Sequence, residues 1–145
     1  MFDKPSIIVR FEVGKALGLV FGLAAFFLLP YALPDAGLLL RWGALFWYVT
    51  LGGLVGIFGV LTYYPKPDMW PFPWWAGAAF VGSWMNFVLT LLAYDTLQAI
   101  MLGVFGKDGL LTSPFWFVAE GIVVAVIIGY FSTRLGGEGK ATVYR

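Results

Sequence analysis

The sequence contains no cysteine and no histidine. Without cysteine the chain can form neither disulfide bonds nor a thiolate nucleophile. Without histidine it lacks the commonest metal ligand and the usual general base. Walker loops, zinc motifs and serine elbows are also missing from the sequence. We therefore expect no metal site, no cofactor and no enzymatic activity.

Charge is scarce as well. Only 12% of the 145 residues are charged, whereas soluble domains have about 25%. The formal net charge is +1, so no strong field would attract the chain to nucleic acid. Both features argue against a soluble binding protein that recognises a charged polymer.

Apolar residues, by contrast, are abundant. They make up 61% of the chain, the mean hydropathy is +0.87, and a soluble domain of this size has too little interior to bury them. Four stretches are apolar and approach or exceed the roughly 20 residues that a membrane-spanning helix needs: 16–33, 42–64, 75–102 and 115–131. The sequence predicts an all-α polytopic membrane protein with four transmembrane helices in a small bundle.

The four stretches form one expected transmembrane domain over residues 1–133, followed by a flexible cytoplasmic tail over 134–145. The first stretch ends in PYALPD rather than in a small-x-small cleavage site, so we expect it to be retained as a span. The third stretch is longer than a bilayer requires. Its membrane-embedded part is expected to end either near Leu102 or already near Ala93.

Between the second and third stretches lies the segment YYPKPDMWPFPWW, residues 63–75, in which four prolines alternate with aromatic residues. Proline excludes this segment from a helix interior. Tryptophan and tyrosine favour the interface between lipid and water. We interpret five side chains as interface anchors, with docking of a partner to the proline-rich turn as the alternative: Tyr63, Tyr64, Trp70, Trp74 and Trp75.

Small residues recur at four-residue spacing along the expected spans. Such stripes allow helices in lipid to pack closely. They comprise Gly14, Gly18 and Gly22 in the first span, Gly52 and Gly56 in the second, and Gly121, Ala125 and Gly129 in the fourth. The pattern does not say whether the contacts lie within one chain or between chains. Because four helices bury few faces among themselves, we expect a homo-oligomer or a partner in a membrane complex.

Polar residues within the spans suggest a second type of site. Asp95, Gln98 and Glu120 are expected at similar depth and form a candidate proton or cation site, since a carboxylate inside a membrane is costly and often functional. Alternatively, both carboxylates reach interfacial water and pair with Arg41 or Lys107. Asn86 and Thr90, one turn apart on the third span, are expected to form hydrogen bonds across helices.

These features support three hypotheses of function. The first is a non-enzymatic integral membrane protein that acts as a small subunit or self-assembling component. The second is a small proton- or cation-coupled transporter or channel that uses Asp95 and Glu120. The third is a lipid-facing scaffold that uses the aromatic turn.

The basic residues predict the orientation of the chain. With four spans, one side of the membrane carries seven of them, namely Lys4, Arg10, Lys15, Lys66, Arg134, Lys140 and Arg145. The other side carries only Arg41 and Lys107. Loops rich in lysine and arginine stay in the cytoplasm. We therefore expect both termini in the cytoplasm and the protein in a membrane such as the bacterial inner membrane.

A reporter fused after Arg145 tests this orientation. We expect a fusion to a cytoplasm-active fluorescent protein to be bright and a fusion to a periplasm-active phosphatase to be inactive, because of the excess of basic residues on that side. An active phosphatase at this position would contradict either the number of spans or their orientation.

Overall fold

A computed structural model describes residues 4–62 and 73–143 of the chain. Within these residues every regular element is a helix. In chain order they are α1 (Ile7–Ala32), α2 (Leu38–Phe58), a 3₁₀ helix (Gly59–Thr62), α3 (Trp74–Leu92), α4 (Tyr94–Phe105), α5 (Trp116–Gly136) and a short α6 (Gly139–Val143). Four of these helices, α1, α2, α3 and α5, are long and apolar enough to cross a membrane. The all-helical fold with four such helices is confirmed, and it indicates membrane integration.

Helix α1 begins at a capped terminus and runs through a proline. The Ser6 hydroxyl accepts a hydrogen bond from the Val9 amide at 3.4 Å, which is typical of an N-cap serine. Pro30 lies in the last turn, and the helix ends two residues later, at Ala32. The five-residue connection 33–37 then leads into α2, and so short a loop makes α1 and α2 antiparallel neighbours.

The tightest contact in the bundle joins α1 to α2 through glycines on both helices. A Cβ atom on Gly14 would overlap the carbonyl oxygen of Gly52, and a Cβ atom on Gly52 would overlap that of Gly14. Gly18 meets the Tyr48 backbone in the same way, and Gly22 meets the Leu45 backbone. The two backbones therefore approach more closely than any larger side chain would permit.

A second close contact joins α3 to α5. A Cβ atom on Gly82 would overlap the carbonyl oxygen of Gly121, and Gly129 faces the methyl group of Ala78. Ala125 is completely buried between the helices. The small-residue stripes identified in the sequence thus form contacts within the chain.

The two helix pairs share one apolar core. It is built from Leu51 and Val55 of α2, Ala78 and Val81 of α3, and Val124, Ala125 and Ile128 of α5. Large apolar side chains are also exposed on the outside of every long helix, among them Val20, Phe46, Trp84 and Val123. An outer surface of this kind is suited to lipid.

The third expected span is divided in two by the structure. Helix α3 ends at Leu92, ten residues before the expected limit at Leu102. Ala93 departs from helical geometry with φ −127° and ψ 36°. The chain then continues as α4, which packs chiefly against α1. The backbone of Gly103 lies against the carbonyl of Ala32 at that contact. The membrane-length helix therefore ends near Ala93.

The segment expected to form a flexible tail is helical over most of its length. Helix α5 extends to Gly136, and α6 packs against the 3₁₀ helix. The Ser6 amide donates a hydrogen bond to the Gly136 carbonyl at 2.9 Å, which joins the start of α1 to the end of α5. This backbone contact holds the segment against the bundle.

Of the five expected interface anchors, two belong to the described chain. Trp74 opens α3 and packs against Tyr130, with the ring centroids 5.9 Å apart. Trp75 is 53% exposed. Tyr63, Tyr64 and Trp70 lie outside the described residues.

Arg10, one of the seven basic residues that predict the orientation, is buried in the bundle. Its side chain is 1% exposed. The Nε atom donates to the Gly56 carbonyl at 3.0 Å, and Nη1 donates to the Thr133 hydroxyl at 3.1 Å and to the Gly137 carbonyl at 2.5 Å. Arg10 therefore ties α1 to the ends of α2 and α5.

Substituting alanine at two glycines tests the close packing. Gly18→Ala places a methyl group against the Tyr48 carbonyl, so we expect a loss of about 1–3 kcal/mol, as in other overpacked sites. The matched control is Gly43→Ala in α2, because a Cβ atom there has no neighbour within 4 Å. Thermal unfolding in detergent should show a lower midpoint for the first variant only. Equal midpoints would mean that α1 and α2 are not closely packed.

Candidate functional site

Glu120 lies in a group of four polar side chains from three spanning helices, here called the Glu120 cluster: Trp47, Tyr48, Asn86 and Glu120. Glu120 is on α5, roughly 6 Å along the helix from Trp116 at 1.5 Å per residue. The next residue, Gly121, has no side chain, and a Cβ atom there would lie 2.6 Å from Asn86 Nδ2. The glycine therefore gives the Asn86 amide room to reach Glu120.

Asn86 is the centre of the cluster and is 1% exposed. Its Nδ2 donates to Glu120 Oε2 at 2.8 Å and to the Phe117 carbonyl at 2.7 Å. Its Oδ1 accepts from the Trp47 indole nitrogen at 3.0 Å. Because an indole nitrogen can only donate, this contact fixes the orientation of the amide and directs Nδ2 toward Glu120.

Tyr48 completes the cluster from α2. Its hydroxyl donates to Glu120 Oε1 at 2.7 Å, so each carboxylate oxygen accepts one hydrogen bond. Hydrogen bonds to a charged group contribute about 1.5–3 kcal/mol each. For Asp at the centre of a spanning helix the cost is about 2.5–3.5 kcal/mol, and Glu120, in the second turn of α5, lies nearer the helix end. Two such bonds are thus of the right size to hold Glu120 inside the bundle.

The cluster contains no positive charge. Among residues 4–62 and 73–143, the only ion pair joins Lys15 to the Glu12 carboxylate at 2.9 Å. Arg10 hydrogen-bonds Thr133, which lies 13 residues beyond Glu120 on α5 and so about 20 Å away along the helix. Neutral dipoles alone therefore stabilise Glu120.

The expected partners of Glu120 lie elsewhere. Asp95 is exposed in the first turn of α4, and Gln98 is half-buried on the same helix. In the described part of the chain, the hydrogen bonds to Glu120 come from Tyr48 and Asn86, not from either of these. The helix break at Ala93 explains this, because α4 packs chiefly against α1 rather than α5.

Arg41 and Lys107, the basic residues expected as alternative partners of Asp95 and Glu120, do not pair with them in the described chain either. Arg41 donates to the Phe26 carbonyl at 2.8 Å, and its guanidinium lies 4.2 Å from the centroid of the Phe26 ring. Lys107 is exposed. Within the described chain, neither residue forms an ion pair with Asp95 or Glu120.

Asn86 and Thr90 of α3 form different kinds of hydrogen bond. Asn86 forms hydrogen bonds across helices, as expected. Thr90 is fully buried but donates to the Asn86 carbonyl of its own helix at 2.7 Å. A threonine within a helix commonly donates to the carbonyl four residues earlier in this way, so the expected bond of Thr90 across helices is not the one observed.

A cavity of about 480 Å³ lies beside the Glu120 cluster. Its walls come from the second half of α1, the first half of α2, the end of α3 and one side of α4, and nearly all of the side chains are apolar. The main polar groups of its lining are Trp47, Tyr48, Asn86 and Thr96. Three of the four cluster residues therefore form part of the cavity wall, and Glu120 is one hydrogen bond behind it.

Sequence reasoning missed Trp47, Tyr48 and Arg10 as functional or structural polar residues. Trp47 and Tyr48 occur in the apolar run ALFWYV, where aromatic residues are expected for packing alone. Arg10 lies before the expected first span, 16–33, and is inside α1 only because the helix begins at Ile7.

No group of three or more potential metal ligands occurs in the described part of the chain. No protein-family model, curated protein or solved structure matches the chain. The candidate site is therefore the Glu120 cluster with its neighbouring cavity, identified by geometry alone.

Removing one hydroxyl tests the cluster. We expect Tyr48→Phe to lower the free energy of unfolding by about 1–3 kcal/mol, because one oxygen of Glu120 loses its donor. The matched control is Tyr31→Phe, since Tyr31 is 84% exposed. In a Glu120→Gln background the cost of Tyr48→Phe should shrink, as the hydrogen bond there is no longer to a charge. Equal costs for the two tyrosines would contradict the cluster.

Proposed function

We propose that this protein is a non-enzymatic integral membrane protein that binds a small, largely apolar molecule inside the bilayer. The observation that carries the proposal is the cavity of about 480 Å³ between α1, α2, α3 and α4. Small-molecule sites usually measure about 300–1,000 Å³ and combine apolar walls with a few polar groups. The cavity has both properties.

The polar groups of the wall are also well placed to orient a ligand. Trp47, Tyr48 and Asn86 hold one another through Glu120 and through direct hydrogen bonds. A site whose side chains are already fixed loses little conformational freedom when a ligand binds. We therefore place the polar end of the ligand at this wall and its apolar body against α1 and α4.

The observed contacts bear differently on the two main functions expected from the sequence, self-assembly and transport. The small-residue stripes, which could have formed contacts either within or between chains, are used within the chain. Association with further copies or with a partner would have to use the outer apolar faces instead. For the transporter hypothesis, Glu120 remains a candidate residue because it lies beside the cavity, but the hydrogen bonds that it forms in the described chain do not involve Asp95. Binding at the cavity is the step that a transporter and a membrane-embedded receptor share.

We further propose that both termini are cytoplasmic and that the protein resides in a bacterial inner membrane. The contact between Ser6 and Gly136 supports placing the start of α1 and the end of α5 on the same side. The excess of basic residues on that side supports the cytoplasm as its location. The cavity would then open toward the outer half of the bilayer.

Photolabelling tests the binding proposal. A hydrocarbon chain that carries a diazirine is added to the protein in lipid nanodiscs, and labelled peptides are quantified by mass spectrometry. We expect labelling of α4 and of the first half of α2 to saturate, because these line a cavity of fixed size. Labelling of the outer faces should rise in proportion to the concentration of the probe, because it reflects only the partitioning of the probe into lipid.

Two variants serve as a matched pair in this experiment. Gly43 lines the cavity and a Cβ atom there meets nothing within 4 Å, so Gly43→Phe should fill the space and remove the saturable labelling. Ala24→Phe adds the same ring at an exposed position of α1 outside the cavity lining and should leave it intact. Labelling that never saturates in the unmodified protein would refute the proposal.

A further inference from the structure

Both oxygens of Glu120 accept hydrogen bonds, which is the pattern of an ionised carboxylate, and no basic side chain of the described residues forms an ion pair with it. Its two oxygens accept hydrogen bonds from a phenol hydroxyl and an amide, at 2.7 and 2.8 Å. Both donors are neutral, so they stabilise the charge without cancelling it. In surroundings of low dielectric constant, such a charge acts strongly on any ion nearby.

The cavity is the space nearest to this charge that a ligand could enter. Tyr48 and Asn86 each contact Glu120 directly and each line the cavity. None of the lining side chains is basic. The arginines of α1 and α2 are used elsewhere, Arg41 at Phe26 and Arg10 at Thr133 and Gly137. A ligand would therefore meet a negative potential at this wall.

The aromatic rings of the cavity wall also favour a cation over an anion. Trp47 and Tyr48 are adjacent on α2 and both line the cavity. The faces of tryptophan and tyrosine rings attract cations, by about 0.5–2 kcal/mol depending on exposure. The attraction needs no hydrogen-bond donor on the ligand, so it suits a quaternary ammonium or phosphonium group as well as an amine.

From these contacts we infer that the cavity binds a lipophilic organic cation, whose charged group lies at Trp47 and Tyr48 and whose apolar body fills the space toward α1 and α4. This inference rests on the proposed function and names the ligand class of the same site. An anion would be repelled by Glu120. A neutral molecule, including the acyl chain of a membrane lipid, would gain nothing from the carboxylate.

Competition between two ions of nearly equal size tests the inference. Tetraphenylphosphonium and tetraphenylborate differ in the sign of their charge and very little in shape. Each is added to nanodiscs of uncharged lipid that contain the protein and the diazirine hydrocarbon. Concentrations are corrected for the amount of each ion that partitions into empty nanodiscs. We expect the cation to displace the saturable labelling at about tenfold lower concentration than the anion, or lower still.

Glutamine variants show which side chain causes the preference for the cation over the anion. Glu120→Gln keeps the shape of the side chain and removes its charge. We expect it to weaken displacement by the cation about tenfold, or about 1.4 kcal/mol, while labelling by the neutral hydrocarbon remains. Glu138→Gln is the matched control, because Glu138 is exposed beyond the end of α5, and it should change nothing.

Each outcome of this design has one meaning. If labelling saturates but cation and anion displace it equally, the inference fails and the proposed function stands. If labelling does not saturate at all, the proposed function fails. A cation preference that Glu120→Gln leaves undiminished would also overturn the inference, because Glu120 would then not be its main source. Should the Glu120→Gln protein not fold, the comparison of the two ions in the unmodified protein still decides.

Discussion

Close approach of helix backbones at glycine governs how this bundle is assembled. Lipid gives helices no hydrophobic reason to associate, so contact must come from packing itself. Gly14 faces Gly52 across the α1–α2 contact, and Gly82 faces Gly121 across the α3–α5 contact. Both pairs then share one core, in which Leu51 and Ile128 are fully buried. Larger side chains at these glycines would separate the backbones and, with them, the polar groups that meet between the helices.

The Glu120 cluster follows from that packing. Gly121 leaves space in which Asn86 reaches Glu120, and the α1–α2 contact fixes α2, which carries Trp47 and Tyr48. Each polar atom of the carboxylate and of the amide has at least one hydrogen-bond partner, which is what makes a buried polar network tolerable. The cluster also places the polar wall of the cavity on three helices at once, so a ligand bound there would contact most of the bundle.

The charges inside the bundle are separated along its length. Arg10 lies at the end where α1 begins and α5 ends, and Glu120 lies near the opposite end of α5. Arg10 is held by carbonyl and hydroxyl oxygens, and Glu120 by amide and hydroxyl donors. Each charge is thus stabilised by dipoles and not by the other. Arg10 is enclosed on all sides, which suits a structural role. Glu120 is next to a cavity, which suits a role in binding.

Four membrane-length helices, the small-residue stripes and the polar character of Glu120 and Asn86 could be read from the sequence, because they follow from composition and from spacing along a single helix. The partners of those residues could not. Tyr48 was expected to serve packing alone, Asp95 was expected either beside Glu120 or at the interface, and no proline or glycine decided whether the third span ends near Ala93 or near Leu102. Which side chains meet is set by how helices distant in sequence rotate and pack against each other, and spacing within one helix carries no information about that rotation.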